Sequence, residues 1–389
     1  MPQVDFLISN PGHHLAMSQP VAAALAFRGV RCRILSLCEF RGLKTPAEAP
    51  PAELCQVVPM RFRSPSSSLP TTGSSRTAGR GLKPLAKGAA WSLLLERPLR
   101  RRWRSAWPDL VVLPNDAAYP YDRIVALLGR LDIPFVLLQE GIRFPLPGVT
   151  EEDAYGRGDA NAIAAWGESS AAYFRATGVH HDAIHVTGSP RFDHLVADRP
   201  ALADEGPLVL LSNPIDDQGF CTKVGKLDLL EEFARGAAPL FEDPTFRLVI
   251  KLHAREDPEE VRQRLSDVPH TQRIEVTVDA PLHDLLRSAR GAVVLASTVG
   301  LEALLLGVPL AVLEIPHHGF VFDYVESGGA YGLSRRRELA TQVREWLADP
   351  PTAATYIDQA LAHHGRADEE VASLIERLAD RPFEKAGFD

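Results

Sequence analysis

The feature that most constrains this chain is a series of short apolar runs that do not alternate with polar residues. "VDFLIS", "RCRILSL", "DLVVLPN", "PFVLLQE", "AIAAWG" and "IHVTGSP" fall in the first half; "PLVLLSN", "FRLVIKLH", "IEVTV", "AVVLAS" and "LAVLEI" fall in the second. A strand with one wet face alternates, so an unbroken Val/Ile/Leu run asks for cover on both faces, as in a parallel sheet. Parallel neighbours need a crossover, and helical patterns such as "SQPVAAALAFRG", "LDLLEEFARGAAPLF" and "DPEEVRQRLSD" supply it. The rhythm stops near residues 199–206 and restarts. The expected architecture is therefore α/β: two doubly wound Rossmann-like domains facing across a cleft, over 1–200 and 201–389. A length of 389 residues agrees, being too long for one ordinary core.

Composition narrows the function classes. A formal charge of -8 disfavours general nucleic-acid binding. No uninterrupted apolar run reaches the length of a membrane span. The start, "MPQVDFLISNPGHH", lacks a basic region before its apolar run and reads as a first strand, not a signal peptide. Cys32, Cys38, Cys55 and Cys221 form no CxxC pair, which suits reduced structural thiols and a cytoplasmic location.

One segment opposes the overall charge. Residues 60–107 hold eleven Lys/Arg against one acid, Glu96, a local charge of +10 by subtraction. Its first part, "RSPSSSLPTTGSSRTAGRG", is poor in apolar residues and reads as a loop. Its second, "AAWSLLLERPLRRRWRSAW", reads either as a surface helix with aromatics in the core or as a lip for an anionic acceptor or membrane surface. Pro98 is expected to interrupt that helix.

In open parallel sheets ligands sit beyond the carboxyl ends of the strands, so the residues just after each run are the candidates. In the first half these are residues 10–14 ("NPGHH"), Asn115 and Asp116, and Gln139 and Glu140 with Arg143. His13 and His14, in a glycine-containing loop before a helix, are base candidates because imidazole titrates near working pH. Glu140 is either a general base or the ion-pair partner of Arg143. In the second half the candidates are Asn213, Lys251, His253 and residues 297–302. Ser297, Thr298 and Gly300 open a helix whose free amides would favour a phosphate. Glu302 would accept from ribose hydroxyls or merely complement the dipole. Lys251 and His253 would face a diphosphate.

Taken together, "VTGSPRFD" (186–193), "KLHARED" (251–257), "STVGLEALLLGVP" (297–309) and "FDYVESGGAYGL" (322–333) resemble the nucleotide-sugar enzymes of the GT-B fold. The group most resembled holds the non-hydrolysing UDP-N-acetylglucosamine 2-epimerases and bacterial surface-polysaccharide glycosyltransferases. The resemblance implies that the second domain binds the nucleotide sugar. Ser297, Thr298 and Gly300 would meet the diphosphate, Glu302 the ribose and His253 the phosphate or sugar, with residues 278–283 flanking the base. "LLQEGIR" echoes the epimerases' His-Val-Glu-Ala-Gly-Leu-Arg stretch in Glu140 and Arg143, but lacks the His. Their Gly-Thr-Arg-Pro-Glu loop is "NPGHH" here. Epimerisation needs that full set of acid/base groups, whereas transfer needs one base and donors for the departing phosphate.

The expectation is thus a metal-independent, inverting transferase. It would use a nucleotide sugar, UDP-linked by preference, as co-substrate with no cofactor, and a glycan, lipid-linked or small-molecule acceptor. The alternatives are an epimerase or a CDP-alcohol phosphotransferase. Peripheral membrane contact through 60–107 and a homodimer are further expectations of this reading.

Overall fold

The computed structural model describes residues 1–44, 55–59, 91–143, 155–196 and 206–380. The serine-rich stretch of the basic segment lies outside them. Among the described residues the chain forms two all-parallel sheets and divides into two compact units.

The first sheet has seven strands: β1 (Gln3–Ile8), β2 (Arg31–Ser36), β3 (Cys55–Pro59), β4 (Leu110–Leu113), β5 (Phe135–Leu138), β6 (Ala162–Ala165) and β7 (Ile184–Val186). Their spatial order is β3-β2-β1-β4-β5-β6-β7. After β1 the chain steps one way to β2, and after β4 the other way to β5. The strand order therefore reverses between β1 and β4, the place where such sheets bind ligands. Strands β1, β4, β5 and β6 are buried along their whole length, as unalternating runs require.

The second sheet has six: β8 (Leu208–Leu211), β9 (Leu248–Lys251), β10 (Ile274–Thr277), β11 (Gly291–Val294), β12 (Leu310–Leu313) and β13 (Tyr331–Leu333). Their order is β10-β9-β8-β11-β12-β13, with the reversal between β8 and β11. Its core gathers Phe233, Phe241, Trp346 and the aliphatics of β8, β9 and β11.

The expected boundary needs one correction. The first unit comprises Met1–Asp193 together with the chain from Ala360 onward, and the second comprises His194–Gln359. The final helix, Ala367–Ala379, places Val371, Leu374, Ile375 and Leu378 in the same apolar cluster as β1, β2 and β4. Asp193 caps it, accepting from the amides of Ala367 (3.2 Å) and Asp368 (3.0 Å). Gly188 sits so close to the Ala362 carbonyl that a side chain there would collide with it.

The basic segment resolves toward its structural reading where it is described. Pro98 interrupts the regular helix without ending it: a π-helical stretch, Trp91–Glu96, runs directly into the α-helix Arg97–Ser105, and Pro98 is the second residue after the change. Trp91, Leu95, Leu99 and Trp103 are buried against β1, β2 and β4. Trp103 Nε1 donates to Asp5 Oδ2 (3.0 Å), and Arg33 grips the same buried carboxylate through Nε and Nη2 (2.7 and 2.6 Å).

Candidate functional site

Each sheet carries a cluster of polar side chains at its reversal point. In the first unit, the helix His13–Phe27 starts directly after the β1 loop, so His13 and His14 are its first two residues and not loop residues. His14 is buried and His13 remains one-third exposed. Glu140, at the end of β5, points back to them: its Oε2 lies 2.8 Å from His14 Nε2 and 3.6 Å from His13 Nε2. Its Oε1 accepts from Asn115 Nδ2 at 2.6 Å. Residues from β1, β4 and β5 thus converge on one carboxylate.

Hydrogen bonding fixes the roles of the two imidazoles. The Ser9 backbone N–H donates to His14 Nδ1 (3.2 Å). Nδ1 must then be an acceptor, so the ring proton of neutral His14 resides on Nε2 and is donated to Glu140. Burial pushes the His14 pKa down, opposed by Glu140. A second ring proton would sever the bond from Ser9. His14 is therefore a fixed neutral donor that orients Glu140, which removes it from the base candidates. Burial alone would raise the Glu140 pKa, but the nearby His13 and the hydrogen bonds from His14 and Asn115 overcome it and hold the carboxyl well below its usual range. Glu140 is a persistent anion and a weak base. His13 is the imidazole that combines exposure with a nearby carboxylate.

By distance alone His13, His14 and Glu140 form a three-ligand set, a proximity that spacing in the sequence did not reveal. The tautomer argues against a cation there. A metal on His14 Nε2 would require the proton on Nδ1, facing the Ser9 N–H.

Other first-half candidates are braces. Asp116 is buried and accepts from the amides of Gly156 and Gly158, both at 2.9 Å. Gln139 is fully buried and ties Trp166 and Ser170 together. Arg143 lies 3.7 Å above the Tyr155 ring, while the partners of Glu140 are the histidines and Asn115.

In the second unit, Asn213 stitches the reversal point, donating to the Ala296 carbonyl (2.7 Å). The helix Val299–Leu305 follows, and the free amides expected at its start are already used. Val299 N–H meets Ser297 Oγ (3.3 Å), Gly300 N–H the Ser297 carbonyl (3.3 Å), and Leu301 N–H the Thr298 carbonyl and Tyr324 Oη (both 3.1 Å). Gly300 is small because of Tyr324, whose ring would lie 2.8 Å from an added Cβ. Ser297, which accepts from Val299, keeps an O–H to give. The Thr298 hydroxyl makes no cap bond to the helix.

Lys251 is also reassigned. Its Nζ donates to the carbonyls of Leu252 (3.1 Å) and Val278 (2.6 Å) and fastens the ends of β9 and β10. His253 is exposed beyond β9. Its Nδ1 accepts from Arg255 N–H (3.2 Å), which leaves Nε2–H as an outward donor. Partial burial and then Arg255 lower its pKa, so it presents a neutral N–H rather than a cation. A buried network, Lys226 with Asp216 (2.8 Å) and Glu256 (3.2 Å), holds this loop through Glu256 Oε2 and the His253 amide (2.7 Å). Glu302 is buried, with Oε2 2.8 Å from His283 Nε2. Sequence spacing hid this pair, because the residues lie 19 apart on different helices.

Comparison with known proteins gives a consistent frame. The family model described as capsule polysaccharide biosynthesis protein matches residues 224–322, less than half of the chain. No curated protein matches the sequence. Among solved structures, a putative UDP-N-acetylglucosamine 2-epimerase from Listeria monocytogenes aligns with a TM-score of 0.65 at 14% identity, covering 100% of this chain and 99% of its own. S. aureus MnaA, solved with UDP, aligns at 0.63 and 15%, covering 99% of each. The kitacinnamycin glycotransferase aligns at 0.59 and 18%, covering 97% of this chain and 99% of its own. With its two parallel, doubly wound sheets, the chain has the GT-B fold of these nucleotide-sugar enzymes.

Proposed function

We propose that the protein is a glycosyltransferase that moves a sugar from a nucleotide-sugar donor, UDP-linked by preference, to a hydroxyl of a glycan, lipid-linked or small-molecule acceptor. The single observation that carries this reading is the first-unit cluster, where a one-third exposed imidazole stands beside a carboxylate held well below its usual pKa range. Several structural neighbours are solved with UDP or a UDP-sugar, which supports the donor class.

In this reading His13 removes the acceptor proton, and Glu140 stabilises the imidazolium that forms. The acceptor oxygen bonds to the anomeric carbon as the bond from that carbon to the phosphate oxygen breaks, with inversion. The electron pair departs on the diphosphate. Hydroxyls of Ser297 and Thr298 and the Nε2–H of His253 would meet that charge. Fixed donors of this kind are worth about 3–4 kcal/mol each in the transition state. Glu302 would accept from the ribose, and no metal or cofactor is invoked.

The matching epimerase structures favour one rival: interconversion of a UDP-sugar without any acceptor. A proton-NMR time course on UDP-N-acetylglucosamine alone separates the two. A new 2-epimer without acceptor would sink transfer, whereas UDP release only when acceptor is supplied would support it. A CDP-alcohol phosphotransferase would instead release CMP.

The reading extends to a peripheral anionic surface. Leu93, Arg97, Arg101 and Arg104 are exposed on the side of the basic segment opposite its buried Trp91, Leu95, Leu99 and Trp103. Vesicles containing anionic lipid should bind the protein more than neutral ones, and Arg97→Glu with Arg101→Glu should abolish the difference. Equal binding to both vesicles would remove this extension.

A further inference from the structure

The His283–Glu302 pair has a consequence that neither residue alone would suggest. Glu302 sits in the first turn of Val299–Leu305 with only 4% of its side chain exposed. A buried carboxylate is costly unless hydrogen-bonded. One partner, His283, comes from another element, the helix Leu282–Ser288 between β10 and β11. The His283 side chain is 33% exposed, and its ring lies 5.5 Å from that of His194. One imidazole thus links the buried acid to the surface on the carboxyl side of the sheet.

A glutamate side chain rotates freely about its last torsion. Pinning Oε2 at 2.8 Å sets the plane of the carboxylate. A carboxylate held in one plane presents its remaining lone pairs in a fixed geometry, as accepting two hydrogen bonds from a vicinal diol requires. We infer that His283 is a positioning residue that holds Glu302 for a nucleotide's ribose and thereby sets the preference for ribo- over 2′-deoxyribonucleotides. The inference rests on the reading of Glu302 as the ribose acceptor. It requires that loss of His283 weaken only the component of affinity that depends on the 2′-hydroxyl.

Calorimetric titration of the full chain with UDP and with 2′-deoxy-UDP tests it. Wild type should prefer UDP by roughly ten- to a hundred-fold, the range for one hydrogen bond to a charged acceptor. His283→Ala should reduce that preference to under about threefold by weakening UDP alone. His283→Gln, which keeps an N–H donor, should restore part of it and covers the case in which the alanine variant fails to fold. A parallel loss of both affinities, or an unchanged ratio in both variants, would overturn the inference while leaving nucleotide binding intact. Wild type that binds UDP without preferring it to the deoxy compound would refute the role of Glu302 and that of His283 together. Wild type that binds neither ligand would refute the nucleotide-sugar reading itself.

Discussion

The two reversal points use the same chemical pair, a histidine and a glutamate at 2.8 Å, with burial inverted. In the first unit the imidazole is buried, at 4% exposure, and the carboxylate is more open, at 22%. In the second the carboxylate is buried, at 4%, and the imidazole open, at 33%. Burying His14 locks its tautomer and makes it a support; the reactive face is then left to Glu140 and the second imidazole, His13. Burying Glu302 makes the acid a fixed acceptor, held at 2.8 Å by His283. The first arrangement suits moving a proton and the second suits holding a ligand. The residue types are the same, and the depth of each decides the role.

The largest effect should come from the group that breaks this division of labour. His13→Ala is expected to lower turnover by roughly 10²- to 10⁴-fold, the usual range for a general base, with UDP affinity unchanged. UDP release and calorimetry on the same preparation check it; an equal fall in affinity would erase the distinction between the two sites. Next is the second site's dependence on packing. Gly300→Ala places a methyl group 2.8 Å from the Tyr324 ring and should cost about 1–3 kcal/mol by overpacking, read from the urea midpoint. It should also weaken UDP, because Tyr324 Oη donates to the Ser297 carbonyl at 3.1 Å. A neutral variant would mean that the ring yields freely.

The smallest effect is in pH dependence. His14 has its pKa lowered by burial from 6.5, so below that value the unfolded chain binds a proton that the folded one declines. Its contribution to stability is complete above pH 6.5 and is lost as pH falls, by at most about 1.4 kcal/mol per pH unit. Glu140, also depressed, acts in the same sense only below its ordinary 4.5. Asp193, which burial pushes up to about 6, has the opposite sign: its folded form keeps a proton, and stability falls as pH rises from 3.8 toward 6. The wild-type curve alone therefore mixes the terms. The difference between wild type and His14→Gln in urea at pH 7 and pH 5.5 isolates the first, and a pH-independent difference would contradict the buried neutral imidazole.

The strands that were legible are those whose burial is dictated by their own letters. "DLVVLPN" and "AVVLAS" contain fully buried strands, and each reveals its ligand-side end as the place where apolar residues give way to Asn or Ser. Of the four edge strands among the described residues, β7 and β10 were legible, whereas β3 ("CQVVP") and β13 ("YGL") escaped. An edge strand needs neither length nor an unbroken apolar run, so it can leave little pattern to read. Gly300 misled for a related reason: a glycine that admits a ligand and one that admits a tyrosine look alike in sequence.

Local patterning sets the class of architecture and the addresses of the candidate residues. Unalternating strands compel parallel sheets, and parallel sheets put His13, His14, Glu140, Ser297 and Glu302 at carboxyl ends. The tertiary structure decided which of these residues meet, how deeply each lies, and therefore which proton sits on which nitrogen. It also decided that the chain from Ala360 returns to the first unit, where the final helix covers β1, β2 and β4. The physical reason is range. Periodicity reports each segment's own need for cover, while pairings such as His14 with Glu140, 126 residues apart, depend on strand order, which no local pattern encodes.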